Sequence, residues 1–226
     1  MIQDGLVLAL DAADKNSYLG SGATWINLVD NNSNTLTNSP TFSNTNGGSI
    51  VFDGVNDYID CNLDISWNNT NSNTLIIILT PGNQTQSRGF IGKGLSGWEW
   101  QLNQIGTGLE FVYWNTGGGH TNGPITSIPN VFQSNVPVFI GLVWNNLNNQ
   151  HYFYKNGVNV GSNTWTNASI NQNRSDGIKI GGSIYAWGMG GSYWIGSIHS
   201  VFNYNRALSN AEILQNYNAL KSRFNL

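Results

Sequence analysis

Apolar residues in this chain recur mostly at every second position, in short runs. Residues 5–12 (GLVLALDA), 49–53 (SIVFD) and 74–80 (TLIIILT) have the length and branched-chain content of buried strands. The run 136–144 (VPVFIGLVW) sets Val138, Ile140, Leu142 and Trp144 on one face, and Pro137 marks a strand start or an edge. Residues 151–160 (HYFYKNGVNV) predict a hairpin, because Asn156-Gly157 supplies the two left-handed residues of a type I′ turn. Further strands are expected at 177–182 and 193–205. Turn-rich segments separate these runs, among them NNSNTLTNSP at 31–40, NTGGGHTNGP at 115–124 and GGSIYAWGMGG at 181–191. Many short strands spaced in this way predict an all-β fold, a jelly-roll β-sandwich of two antiparallel sheets.

One short C-terminal helix breaks the pattern. Ser209 and Glu212 have capping-box spacing, and Leu208 and Ile213 occupy the positions of a hydrophobic staple. Ile213, Leu214, Tyr217 and Leu220 follow as one apolar stripe. Lys221 and Arg223 sit where the helix dipole favours cations. No linker and no internal repeat interrupts the chain, so residues 1–226 read as one domain.

Composition narrows what such a sandwich does. Hydrophobic residues make up 39%, with nine each of Trp, Tyr and Phe, enough for a large core. Charged residues make up only 9%, against roughly 25% in an average chain. Nine basic and twelve acidic side chains give a net charge of -3, so no basic field is present to hold a nucleic-acid backbone. Polarity comes instead from amides and hydroxyls; about one residue in six is asparagine. The lone Cys61 excludes a disulfide framework and multi-cysteine metal centres. The longest apolar run, LIIIL at 75–79, is far short of the ~18 residues of a membrane span, so no membrane insertion is expected. The N-terminus lacks a basic region and its apolar run is broken by Asp11, which reads as no signal peptide and synthesis in the cytoplasm.

Four segments carry a resemblance. Residues 5–12, FDGVNDYI at 52–59, YKNGVNVG at 154–161 and GSIHSVFNYNRALSNAEILQNY at 196–217 resemble the laminin-G-like, concanavalin A-like lectin and glucanase jelly rolls. The last stretch is the most specific, a final strand followed by Asn205-Arg206-Ala207-Leu208-Ser209 and the capped helix. The opening segment, with GGSIVFDG at 47–54, resembles a subgroup found in tailed-phage virion proteins. The resemblance implies a sandwich of about fourteen strands. That fold hosts lectins, glycosidases and structural modules alike and does not choose among them.

Candidate chemistry is sparse. The family's glycosidase pattern, Glu-x-Asp-x-x-Glu, is absent, and the glutamates are Glu99, Glu110 and Glu212. A hairpin with its turn near 104–107 would set Trp98, Trp100, Leu102, Leu109, Phe111 and Tyr113 on one face. Glu99, Gln101, Glu110, Val112 and Trp114 would take the other. Glu99 and Glu110 would then be diagonal neighbours about 7–8 Å apart, within the range of inverting glycosidases. The favoured reading is two solvated carboxylates on an open sheet face. Asp53 and Asp57 flank Gly54-Val55-Asn56 and offer oxygens to Ca²⁺, although Asx side chains in such a turn more often bond their own backbone. His120, His151 and His199 are scattered, without zinc-site spacing. For ligand binding, Tyr185 and Trp187, with Met189, would project from a glycine-bounded loop unless Trp187 folds back to cover the sandwich end, Trp114 would offer a stacking ring, and His120 sits in a second glycine-rich segment.

The resemblance to virion domains, with no catalytic pattern beside it, implies a non-enzymatic structural module of a phage virion, a capsid decoration or a tail or fibre component. Its partners would be other virion proteins, surface glycans or further copies of itself, and no cofactor is required. A carbohydrate-binding lectin domain is the alternative, and a glycoside hydrolase the third reading.

Overall fold

A computed structural model of the chain describes residues 1–61, 63, 65, 67, 70–83, 86–93, 99–113, 126–165, 177–182 and 193–226. The first strands are β1 (Leu6–Asp11), β2 (Thr24–Ile26), β3 (Ser33–Thr37), β4 (Thr41–Ser43), β5 (Ser49–Asp53) and β6 (Tyr58–Cys61). Then come β7 (Asn73–Pro81), β8 (Arg88–Lys93), β9 (Trp100–Ile105), β10 (Gly108–Tyr113) and β11 (Thr126–Ile128). The last are β12 (Val138–Asn145), β13 (Gln150–Lys155), β14 (Val158–Thr164), β15 (Ile178–Ile180) and β16 (Ile195–Tyr204), before helix α1 (Asn210–Phe224).

Two antiparallel sheets form, each with eight strands among the described residues. The first runs β14-β13-β12-β7-β16-β5-β4, with β1 added along the far half of β16. The second runs β11-β10-β9-β8-β15-β6-β3-β2. The main core lies between them. Leu75, Ile77 and Leu79 of β7 point into it with Val138, Ile140, Leu142 and Trp144 of β12, the face expected for the latter four. From the second sheet come Ile59, Ile91, Leu102, Phe111 and Ile180.

The run at 75–79 is apolar at every position because both faces of β7 are covered. Ile76 and Ile78 point to the outside of the first sheet, where Phe139, Phe202 and Tyr204 join Ile213, Leu220 and Phe224 of α1. Each such side chain contributes about 1.5–3 kcal/mol on burial. The helix is placed by its capping box, observed in full, and by the staple residues Leu208 and Ile213, both buried. Its buried face differs from the expected stripe. Leu214 is 45% exposed, and Asn216 takes the place inside. Asn216 Oδ1 accepts from Ile2 N at 2.8 Å and its Nδ2 donates to the Tyr204 hydroxyl at 3.1 Å, which satisfies a buried amide.

The β13–β14 hairpin turns at Asn156 (φ 49°) and Gly157 (φ 79°), both left-handed as a type I′ turn requires. A departure from expectation lies at 31–40, where a turn-rich segment contains β3. Only Asn34 and Leu36 of that strand are buried, and the Asn34 amide donates to the Trp25 carbonyl at 2.8 Å.

Candidate functional site

Of the expected binding residues, Tyr185, Trp187, Trp114 and His120 lie outside the described residues, as do Trp98 and Met189. Their described flanks stand at opposite ends of the second sheet. Tyr113 pairs with Trp100 at one end, while Gly182, bridged to Tyr193, follows Ile180 at the other.

Asp53 and Asp57 serve their own turn. Asp53 Oδ1 accepts from Val55 N at 2.8 Å, and Asp57 Oδ2 accepts from Asp53 N at 3.2 Å. Burial raises the Asp57 pKa above its ordinary value; the hydrogen bond from Asp53 opposes this and the Asp53 charge adds to it. Ca²⁺ takes 6–8 oxygens. Among the described residues no third acidic, histidine or cysteine side chain joins the pair.

The second sheet's hairpin corrects the expected geometry of Glu99 and Glu110. Within β9 and β10 Trp100, Leu102, Leu109, Phe111 and Tyr113 take the core face and Gln101, Glu110 and Val112 the other, as expected, but the turn is the two-residue Gly106-Thr107, so Glu110 stands opposite Asn103. Glu99 lies four residues beyond Asn103, about 13 Å away at the ~3.3 Å rise of a strand. It also has a different partner. The Lys93 ammonium sits 2.9 Å from its carboxylate, and both side chains are fully buried. Glu110 instead accepts from Asn103 Nδ2 at 2.9 Å.

That hairpin belongs to the outward-facing side of the second sheet, where a polar trough can be followed strand by strand, with Gly89, Gly92, Gln101, Asn103 and Lys179 all buried. Across one row stand Asp60 of β6, Lys179 of β15, Gly92 of β8 and Gln101 of β9. In the next, Gly89 stands opposite Asn103, and Asn103 opposite Glu110. Strand β8 thus puts two glycines on this face, a floor without side chains between Lys179 and Gln101. At ~4.8 Å per strand the two walls stand about 10 Å apart at Cα. A Cβ at Gly92 would lie 2.9 Å from the Trp100 carbonyl and 3.3 Å from Gln101 Cβ, so the floor admits nothing larger.

The walls are hydrogen-bonding groups in fixed orientation. Gln101 donates to Asn103, which donates to Glu110. Opposite them, Lys179 pairs with Asp60 and lies 5.4 Å from the centre of the Tyr58 ring. Beneath the sheet, Trp67 stacks on Trp100 at 4.6 Å and Trp144 on Trp165 at 4.7 Å, a rigid aromatic support. The groups here with nucleophilic character, Lys179, Asp60 and Glu110, are each held in an ion pair or a hydrogen bond. The described cysteine, Cys61, is wholly buried, and burial raises its thiol pKa. The array can donate to and accept from hydroxyl groups and stack one ring, which is recognition chemistry. Sequence reading put Gln101 and Glu110 on this face but missed Lys179, Asp60, Asn103 and the glycine floor. The signal was present in β8, whose RGFIGK places glycine at both outward positions across a bulge.

Comparison with known proteins bears on the fold. The family model described as the concanavalin A-like lectin/glucanases superfamily matches residues 52–214. No curated protein sequence matches the chain. Among solved structures, the binding domain of Paraclostridial Mosquitocidal Protein 1 is similar at a TM-score of 0.71 and 16% identity, over 95% of this chain and 52% of that one. The ligand-binding domain of botulinum neurotoxin serotype D, in complex with N-acetylneuraminic acid, aligns at 0.65 and 15% identity, over 96% and 51%. A Ruminococcus gnavus IT-sialidase CBM40, bound to α2,3-sialyllactose, aligns at 0.60 and 17% identity, over 75% and 95%. The chain spans about half the length of these toxin domains. At such identities the likeness is one of fold.

Proposed function

The chain belongs to the concanavalin A-like lectin/glucanases superfamily, and from that premise we propose that it is a carbohydrate-binding module whose glycan lies in the trough of the second sheet. The glycine floor of β8 carries the reading. It lets a flat ring approach the backbone between Lys179 on one side and the amides of Gln101 and Asn103 on the other. Structural relatives solved with sialic-acid ligands make sialylated glycans the first probes, with neutral oligosaccharides beside them. Binding rather than hydrolysis is favoured by the separation of Glu99 from Glu110 and by the sealing of Glu99 against Lys93. The test is a glycan array followed by calorimetry. Gln101→Ala and Asn103→Ala are each expected to weaken binding about ten-fold, as loss of one or two hydrogen bonds requires. No reducing sugar should be released. Wild-type affinity in both variants would remove the trough from the reading, and hydrolysis lost in Glu110→Gln would make the protein an enzyme.

Display on a phage particle is the finer part of the proposal. It rests on the resemblance of the opening and of residues 47–54 to virion domains, and detection of the chain in purified particles tests it.

A further inference from the structure

A second concavity lies at the far edge of the sandwich, where the edge strands β2 and β4 leave the two sheets unjoined. A cleft of about 520 Å³ opens there, between the loop at 20–23 and the turn at 38–41. Its floor is apolar, made by buried Tyr18, Leu36 and Pro40 and half-buried Phe42. The Tyr18 and Phe42 rings stand 5.6 Å apart at 44°. Its rim is exposed Ser21, Ser39 and Thr41. No lining residue is charged.

Two details show that the rim is held in place. Asn38 (φ 65°) and Ser39 (φ 75°) are consecutive left-handed residues, a conformation uncommon for serine and seldom adopted twice in succession without glycine. The Asn38 amide ties that turn to the Asn56 carbonyl at 2.8 Å. Opposite it, Gly20 (φ 90°) and Gly22 (φ 93°) shape the other wall, and a Cβ at Gly22 would meet nothing within 4 Å.

No charged side chain lines the cleft, and the Lys15 ammonium beside it, 5.8 Å from the centre of the Phe42 ring, is held by the Leu19 carbonyl at 3.1 Å, while a purely apolar ligand would strip water from three hydroxyls without replacing it. A neutral ring with one apolar face and an equator of hydroxyls meets both halves of the lining. We propose that this cleft is a second ligand site that takes one uncharged pyranose ring, separate from the trough and sharing no residue with it.

The test is a protein-observed NMR titration with methyl glycosides of glucose, galactose, mannose and N-acetylglucosamine, repeated with sialyllactose. At least one neutral glycoside is expected to shift the amide signals of 20–23 and 38–42, and sialyllactose to shift them at least ten-fold more weakly. Ala23→Arg, at an exposed lining position, should abolish the shifts while the thermal midpoint holds. Phe42→Ala should weaken binding at least ten-fold, and Gln101→Ala should leave it unchanged. Absence of shifts with every neutral glycoside, or wild-type binding in Ala23→Arg, overturns the cleft site. Loss of these shifts in Gln101→Ala would assign them to the trough and overturn it equally. Failure of the trough itself is read separately, as wild-type affinity in Gln101→Ala on the glycan array.

Discussion

His151 shows how far a single residue is set by what surrounds it. Its ring lies parallel to Trp144 at 5.9 Å, within an aromatic cluster, and its Nε2 bonds the Thr126 hydroxyl at 2.9 Å. Burial lowers its pKa to about 4 from 6.5. The unfolded chain therefore binds a proton more readily than the folded one between those values, and stability rises with pH across that window. The difference amounts to about 3 kcal/mol. His199 adds to the same trend: burial lowers its pKa too, against the raising hydrogen bond to the Gly48 carbonyl. Glu212 acts lower down, because its hydrogen bond from Arg206 brings it to about 2, and its contribution is lost as pH falls through that value. We expect denaturant midpoints to fall on acidification from about pH 6.5 to 4, with a shallower fall in His151→Gln. An identical slope in both proteins would rule out His151 as a source. Little in the sequence near His151 signals this, since the rings that enclose it are Phe111 and Tyr113 of β10 and Trp144 of β12, with only Phe153 from its own strand.

At the scale of elements, α1 gives the sharpest expectation. Ser209→Ala removes the cap and should cost about 1 kcal/mol. Ile213→Ala, at a fully buried site against Phe202 and Tyr204, should cost about 2–5 kcal/mol. Leu214→Ala should stay within about 0.5 kcal/mol, as exposed substitutions do. Chemical denaturation orders the three, and a Leu214 cost equal to that of Ile213 would contradict the observed helix face. The contrast shows what was legible. Long strands with covered faces, the Asn-Gly hairpin and the capped helix are written in local pattern, and the fold followed from them. The strands β2, β3 and β4 are not. Each puts one or two side chains inward from a run of Thr, Ser and Asn, and their pairing is decided by distant neighbours such as β6. The Glu99–Glu110 register was missed for a related reason. Alternation fixes which face a residue takes but not its partner, so a shorter turn moved Glu110 two places along without altering its face. The trough was hard to read as a site because its floor is defined by missing side chains on β8, two strands away from Glu110 in a pairing that the sequence does not state.

The whole molecule carries few charges, and in the trough Lys179 is already paired with Asp60. If the trough takes a glycan as proposed, attraction over distance does not dominate its capture. Affinity should change less than about two-fold between low salt and ~1 M, where the Debye length has shrunk to about 3 Å. A ten-fold loss by calorimetry would mean that ionic contacts carry the binding. Architecture adds a direction to this uncharged recognition. Ile2 is bonded to Asn216, Tyr204 donates to the Ile2 carbonyl, and Leu226 packs in the same cluster, so both ends of the described chain meet on the outer side of the helix-covered sheet. The trough lies on the outward-facing side of the other sheet. Whatever is joined to this chain through either end acts as a wrist, and the hand it carries is held palm outward.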